Sequence, residues 1–314
     1  MCAAAAPVSR LGRRQPWRSD EVRATICPNI RANCLQRQLS ALGWVLAVCT
    51  VLAAHAPHAC AEVRALVVGA DYRNASDSRI VLINTLVDAA AVARLLRDVR
   101  VTDVQYVENP SGPALADAVE RFAGRLTAAD VALLYYAGHA IQVAGQNYLI
   151  AADGNTLIAA EQILSRIMPR ARGSVFIIDA CRNNPFVRKS DSESTALTVS
   201  YLQPQTRELQ TLSRDELESS AAGLSQIGNL RGTNAIVFFS TDPGNVALDG
   251  AAGQGSPFAH AIVKELGKRQ SLDAAIRKVT AAVSKATNAQ QSPWRQGDLG
   301  FPLFLAGQPS FPVP

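Results

Sequence analysis

Three short runs, residues 131–136 (VALLYY), 174–180 (SVFIIDA) and 234–240 (NAIVFFS), lack the apolar–polar alternation of a strand with one wet face. A strand of this kind is covered on both faces, the condition of a parallel sheet held between layers of helices. Residues 63–68 (VRALVV) form a fourth strand candidate ending at Gly69, and residues 101–107 a fifth. Helical spacing fills the intervals. Residues 85–98 put Leu86, Ala89, Val92, Ala93 and Leu96 on one face, residues 114–126 form a second helical stretch, and further helices are expected at 257–267, with Pro257 at its start, and at 272–287. The sequence therefore predicts an α/β protein, a three-layer α/β/α sandwich with a mostly parallel central sheet. With 314 residues, 48% of them apolar and 18% charged, the chain can bury a core of that size.

Charge and cysteine both divide the chain after residue 61. The first 61 residues carry seven Arg against Asp20 and Glu21, so the net charge of +5 sits there and the remainder is neutral. A neutral folded part lacks the basic excess that grips a phosphate backbone, so no nucleic-acid partner is expected. Residues 39–54 (LSALGWVLAVCTVLAA) are nearly all apolar, follow Arg31 and Arg37, and precede the small residues of Ala59-Cys60-Ala61. Residues 35–61 read as a secretory signal peptide, which implies an exported, periplasmic or secreted protein. The alternative is an uncleaved anchor, because the 16 residues of 39–54 fall just short of a comfortable membrane span. A membrane association follows only in that second case. Residues 1–34 have no periodicity and read as a disordered tail or an overextended start.

Beyond residue 61 the chain holds a single thiol, Cys181, and only two imidazoles, His139 and His260. No disulfide can form within that stretch, and a Cys/His zinc cage has too few ligands. Sites in open α/β sheets form at the carboxyl ends of strands. His139 comes three residues after VALLYY and Cys181 directly follows SVFIIDA, so on parallel neighbours the two emerge along one edge. A thiolate nucleophile with an imidazole partner needs that arrangement. Taken singly, each has a plain structural reading, as a histidine after a strand or a small buried hydrophobe. The small residues Gly138 and Ala180 leave room for a substrate backbone, and the N–H groups of Cys181 and Ala140 are candidate donors to a tetrahedral oxyanion. His260 reads as structural, Tyr135 and Tyr136 as core, and Trp294 as packing on the sheet.

The segment Tyr135-Tyr136-Ala137-Gly138-His139, with Gln142, Gly145 and Asn147-Tyr148-Leu149-Ile150 behind it, and the segment Ile178-Asp179-Ala180-Cys181-Arg182-Asn183-Asn184-Pro185-Phe186 resemble the bacterial caspase-like domain (clan CD, peptidase family C14), related to metacaspases. The similarity extends over about residues 62–305. It implies a caspase-like fold with a large-subunit-like region at 62–186, a flexible linker at 187–230, a small-subunit-like region at 231–305 and a tail at 306–314. It also implies Cys181 as nucleophile, His139 as general acid and base, and the backbone of Ala140 and Cys181 as oxyanion donors. Most family members have Gly after the histidine. Ala140 keeps the N–H, and a positive φ there would cost about 1–2 kcal/mol.

Caspases that cut after Asp place Gln two residues before the nucleophile. Here Asp179 stands at that position, which should attract Arg or Lys, and the metacaspase resemblance adds Asp88 as a second acidic wall of the substrate pocket. Paired carboxylates suit a guanidinium. The structural alternatives are that Asp179 orients a loop and that Asp88 caps its helix; Val87 stands where the family usually has Asn. Many metacaspases hold calcium on clustered acids beyond the histidine motif. This chain offers only Asp153 and Glu161 there, and a hard cation wants about six or more oxygens, so no metal and no cofactor are expected.

The function expected from these residues is that of a cysteine endopeptidase acting on protein or peptide substrates after Arg or Lys. Self-cleavage is expected at Arg188, Lys189, Arg207, Arg214 or Arg231, in or beside the linker. The alternative is a catalytically silent caspase-fold module that binds a protein partner, motivated by Ala140. Nucleotide binding has neither a G-x-G-x-x-G nor a Walker loop to support it. No residue discriminates monomer from dimer.

Overall fold

A computed structural model describes residues 62–143, 145–181, 199–202, 209–212, 227–228, 230–243, 245 and 247–307; for Val143, Cys181 and the segments 199–202 and 209–212 the description is of the backbone. The expected signal peptide, the tail at 1–34, residues 182–186 and residues 308–314 lie outside the described residues. Among the described residues no helix is long and apolar enough to cross a membrane.

The strands in chain order are β1 (Val63–Gly69), β2 (Asp103–Glu108), β3 (Val131–Val143), β4 (Gln146–Ile150), β5 (Thr156–Ala159), β6 (Gly173–Cys181), β7 (Val199–Leu202), β8 (Leu209–Leu212), β9 (Ala235–Phe239) and β10 (Trp294–Asp298). The described helices are α1 (Thr85–Asp98), α2 (Gly112–Gly124), α3 (Ala160–Ile167), α4 (Pro257–Leu266) and α5 (Leu272–Ala286). The apolar runs become the middle of the sheet: β2, β1, β3, β6 and β9 lie side by side and parallel, and β10 runs antiparallel along β9. Strand alternation then sorts the core into two layers. Ala65, Val67, Leu133, Tyr135, Val175 and Ile177 pack with α1, α4 and α5, whereas Leu66, Val68, Leu134, Tyr136, Phe176 and Ile178 pack with α2 and α3. The sandwich expected from the apolar runs is the observed fold.

Boundaries shift where an end is decided by neighbours. β2 covers 103–108 rather than 101–107 and is only half-buried, as befits an outer strand. α2 starts at Gly112, two residues before the expected start, with Ser111 at its N-cap position and Pro113 in its first turn. The larger departure is at β3. It was expected to stop at Tyr136 and instead continues to Val143, so His139 lies inside a strand and not beyond its end. Having run beside β1 as far as Ala137, β3 joins β4 in an antiparallel ladder from Ala140 onward, and β5 follows β4. A change of neighbour part-way along a strand leaves no mark in that strand's own periodicity.

Part of the expected flexible linker, 187–230, is also sheet. β7 and β8 form an antiparallel hairpin, and β7 runs parallel to β5 with Thr156 opposite Ser200 and Leu157 opposite Tyr201. Each strand is only four residues long (VSYL and LQTL) within polar sequence, too short to stand out from it. At the other end, ordered contacts pass residue 305: Ala306 is buried and the Gly307 carbonyl accepts from Arg269 Nη2 at 3.0 Å.

Candidate active site

β3 and β6 stay in register from Val131 opposite Gly173 to His139 opposite Cys181. The two candidate catalytic residues are therefore direct Cα partners on adjacent strands, whose spacing in any sheet is about 4.8 Å. The side chain of Cys181 lies outside the described residues. The imidazole of His139 is buried, and its Nε2 lies 2.8 Å from the carbonyl oxygen of Ile80. A carbonyl only accepts, so Nε2 carries the proton and Nδ1 presents its lone pair. Nδ1 has no hydrogen-bond partner among the described residues. Burial holds this imidazole down at about 4, with the Ile80 carbonyl opposing the shift, so it is neutral at pH 7. Ile80 ends a single 3₁₀ turn, Ser78–Ile80, whose N-cap is Asp77. A backbone acceptor has no residue-type signature, which is why sequence reasoning missed it.

Ala140 is buried within β3 and has no positive φ, so the strain considered for an alanine there does not arise. Its N–H and that of Cys181 belong to neighbouring stretches of β3 and β6.

Asp88 lies on the buried stripe of α1, beside Ala89, Val92, Ala93 and Leu96. It does not cap the helix, because Asn84 holds the N-cap position. Asp88 Oδ1 accepts from the Ser256 N–H at 2.9 Å, and Asp179 Oδ2 accepts from the hydroxyls of Ser256 and Tyr135, each at 3.0 Å. Ser256 thus bridges the two acids while its Oγ accepts from the Ala259 N–H and caps α4. A third carboxylate joins them. Asp249 Oδ2 accepts from the Ile83 N–H at 3.3 Å, and a narrow cleft of about 20 Å³ opens between Asp88, Asp179 and Asp249, walled by Leu82, Gly138 and Ser256.

None of the three acids forms an ion pair among the described residues. Burial pushes Asp88 up to about 6 and Asp179 up to about 7; the charge of Asp249 adds to the first shift and that of Asp88 to the second. Burial also raises Asp249. Burial and mutual repulsion thus oppose ionisation of all three carboxyls.

Asn84, fully buried, fixes the loop that carries Asp249. Its Nδ2 donates to the carbonyls of Asp249 at 2.7 Å and Ala251 at 2.9 Å, and its Oδ1 accepts from the Gly253 N–H at 2.8 Å. The segment before α1 is thereby tied to the segment before α4, about 165 residues later in the chain. Asp249, Ser256 and Asn84 were not read as site residues from the sequence. Pro257 marks a legible helix start, but the link of the preceding Ser256 to the acids is purely tertiary.

His260 is exposed on α4, where its charge bears on Asp88. Tyr135 and Tyr136 are fully buried, as expected of core residues, yet both hydroxyls reach the site, one to Asp179 and the other to the carbonyl of His139. Trp294 stacks on Phe239 across β10 and β9, with ring centroids 5.6 Å apart. Asp153 organises a turn, accepting from Gly112, Asn155 and Thr156. Among the described residues no group of His, Cys, Asp and Glu is arranged to hold a metal ion.

A family model for the caspase domain, peptidase family C14, matches residues 62–304. The chain belongs to the caspase-domain family. Among solved structures, it is similar to caspase-1 from Spodoptera frugiperda, with a TM-score of 0.54 and 16% sequence identity, over 80% of this chain and 92% of that one. At that identity the likeness speaks for the fold. No curated protein sequence matches the chain. In this caspase domain, then, the only thiol beyond residue 61 and the buried imidazole are register partners, and a cleft with three carboxylates in its walls reaches Gly138, the residue before His139.

Proposed function

We propose that this caspase domain is a cysteine endopeptidase that cuts after Arg or Lys, with Cys181 as nucleophile and His139 as general acid and base. The observation that carries the reading is the cleft of Asp88, Asp179 and Asp249 beside the register pair of His139 and Cys181. Nδ1 of His139 takes the thiol proton as Sγ bonds to the carbonyl carbon, and the N–H groups of Ala140 and Cys181 receive the developing oxyanion. Collapse breaks the C–N bond, and His139 returns the proton to the leaving amine. Water, deprotonated by the same Nδ1, then attacks the thioester and restores the thiol. The basic side chain of the substrate enters the acidic cleft, which must widen beyond its 20 Å³ to admit it. Leu248, an exposed large apolar side chain, lines that cleft and suits the apolar part of a long basic side chain or the flanking peptide. The leader at 35–61 supports export to the periplasm or beyond.

Arg- and Lys-terminated fluorogenic peptides should be hydrolysed and their Asp-terminated counterpart left intact. Cys181→Ala should lower the rate at least about 10³-fold; cleavage that persists in the variant would remove the proposal. The linker arginines and Lys189 extend it. Wild-type protein should nick itself between β6 and β9 on long incubation while Cys181→Ala stays intact, and identical intact bands on a denaturing gel would rule self-processing out.

The narrowness of the cleft favours one second reading, a silent module whose site does not open. Stoichiometric labelling of Cys181 by an arginyl chloromethyl ketone separates the two, since only an opened, competent site alkylates rapidly.

A further inference from the structure

The ladder of β3 with β1 ends at Ala137 and its ladder with β4 begins at Ala140. Gly138 and His139 fall in the gap between them, where buried main-chain groups need other partners. Two phenols supply these. The His139 N–H donates to Tyr72 Oη at 2.7 Å, and Tyr136 Oη donates to the His139 carbonyl at 2.8 Å. Both hydroxyls also lie within bonding distance of the Ile150 carbonyl at the end of β4, at 2.9 Å for Tyr72 and 2.7 Å for Tyr136, and 3.0 Å from each other. One proton per hydroxyl closes the set. Tyr72, having accepted from His139, donates to Ile150; Tyr136 donates to His139; no polar atom is stranded.

We propose that the paired hydroxyls of Tyr72 and Tyr136 are the positioning device of the dyad, binding the main chain of His139 where β3 changes neighbours and thereby setting where the imidazole stands. The inference rests on the dyad reading given above. Three further observations support it. Tyr72 holds φ at +62°, a left-handed conformation that a bulky side chain keeps only where its surroundings impose it, and it is fully buried. Its ring lies against the imidazole, with centroids 4.7 Å apart and planes at 37°, so the residue that takes the His139 N–H also walls the ring. Gly138 fits because it has no Cβ: one would stand 2.6 Å from Tyr136 Oη and 2.8 Å from Tyr72 Oη. Burial pushes both phenols above their ordinary range, so each keeps the proton it donates.

Tyr72→Phe and Tyr136→Phe remove one oxygen each and keep the rings. Each is compared with wild type by the rate of Cys181 alkylation with iodoacetamide across about pH 5 to 10, read on the Cys181 peptide by mass spectrometry. Turnover of an Arg-terminated peptide and melting are measured alongside. For the folded variants alkylation at neutral pH should slow about tenfold, its pH limb should move toward that of an ordinary thiol, and kcat should fall about 10- to 100-fold with KM within about twofold. Folded variants with alkylation profile and kcat within about twofold of wild type would overturn the proposal, as would a loss seen only in KM. If Tyr72→Phe does not fold, Tyr136→Phe decides by the same readouts. If neither folds, the hydroxyls hold the fold and not the imidazole, and the proposal is wrong. A wild-type alkylation profile identical to that of His139→Ala would instead dismiss the dyad itself, before any tyrosine variant is considered.

Discussion

Asp179→Asn is expected to cut kcat/KM on Arg- and Lys-terminated peptides by about 10²–10³-fold and, in the same protein, to raise the melting temperature above pH 6.5. The opposite signs come from one cause. Asp179 accepts from Tyr135 and Ser256 while facing Asp88, so its ionised form is buried beside a like charge and has no ion-pair partner among the described residues. An amide keeps an oxygen for both hydroxyls and removes the charge. Both acids have folded pKa values above the ordinary carboxylate range, about 6 for Asp88 and about 7 for Asp179. Their contribution to stability is therefore complete at acid pH and is lost as pH rises through those values. His139 has the other sign. Its folded value near 4 lies below its ordinary 6.5, so its contribution is present above 6.5 and lost as pH falls toward 4.

Above pH 6.5 the acids act without that opposition, and the charge of Asp249 resists the ionisation of Asp88 further. Thermal melts of wild type should decline between about pH 6.5 and 8, those of Asp179→Asn should be nearly flat, and the gap at the alkaline end should reach roughly 1–3 kcal/mol. A guanidinium compound should restore wild type and leave the variant unmoved. Parallel melting curves for the two proteins would mean that the carboxyl is already compensated, and the charge account of the cleft would be wrong.

Gly138→Ala should be the most disruptive single methyl group near the site. The added carbon would meet Tyr136 Oη at 2.6 Å, Tyr136 Cζ at 2.8 Å and Tyr72 Oη at 2.8 Å. Both rings are fully buried and their hydroxyls are bound to main-chain groups, so neither can swing aside cheaply. Overpacking of this kind costs about 3 kcal/mol, and at about 2–4 °C per kcal/mol for a domain of this size the melting temperature should fall by roughly 6–12 °C. Activity should vanish in whatever remains folded, because His139 is the next residue. Adding Tyr136→Phe removes the closest contact, so the double variant should melt higher than Gly138→Ala alone, a non-additive pair measured by a double-mutant cycle. If the two losses simply add, the clash is not with that hydroxyl.

Much of the architecture was legible in the sequence because strands covered on both faces must be apolar throughout, which is a property of the segment alone. β3, β6 and β9 announced themselves for that reason, and α1 was read from its apolar spacing with both ends as observed. β4, β5, β7 and β8 were not, being four or five residues each and defined by the ladders they make with one another and with β3. The candidate site divides along the same line. His139, Cys181, Asp179 and Asp88 stand out as candidates from residue type and motif, and rarity singles out the first two.

Residue order alone dictates the layered sheet and which scarce reactive side chains sit in its strands, because burial on two faces and the scarcity of thiol and imidazole are written in composition and order. Tertiary structure alone decided that Asp249 joins the other acids through a loop held by Asn84, that Ile80 fixes the imidazole tautomer, and that two tyrosines fill the gap in the β3 ladders. These are contacts between main-chain groups and residues tens to well over a hundred positions apart. A main-chain carbonyl or N–H has the same chemistry at nearly every position, so only folding selects which one is used.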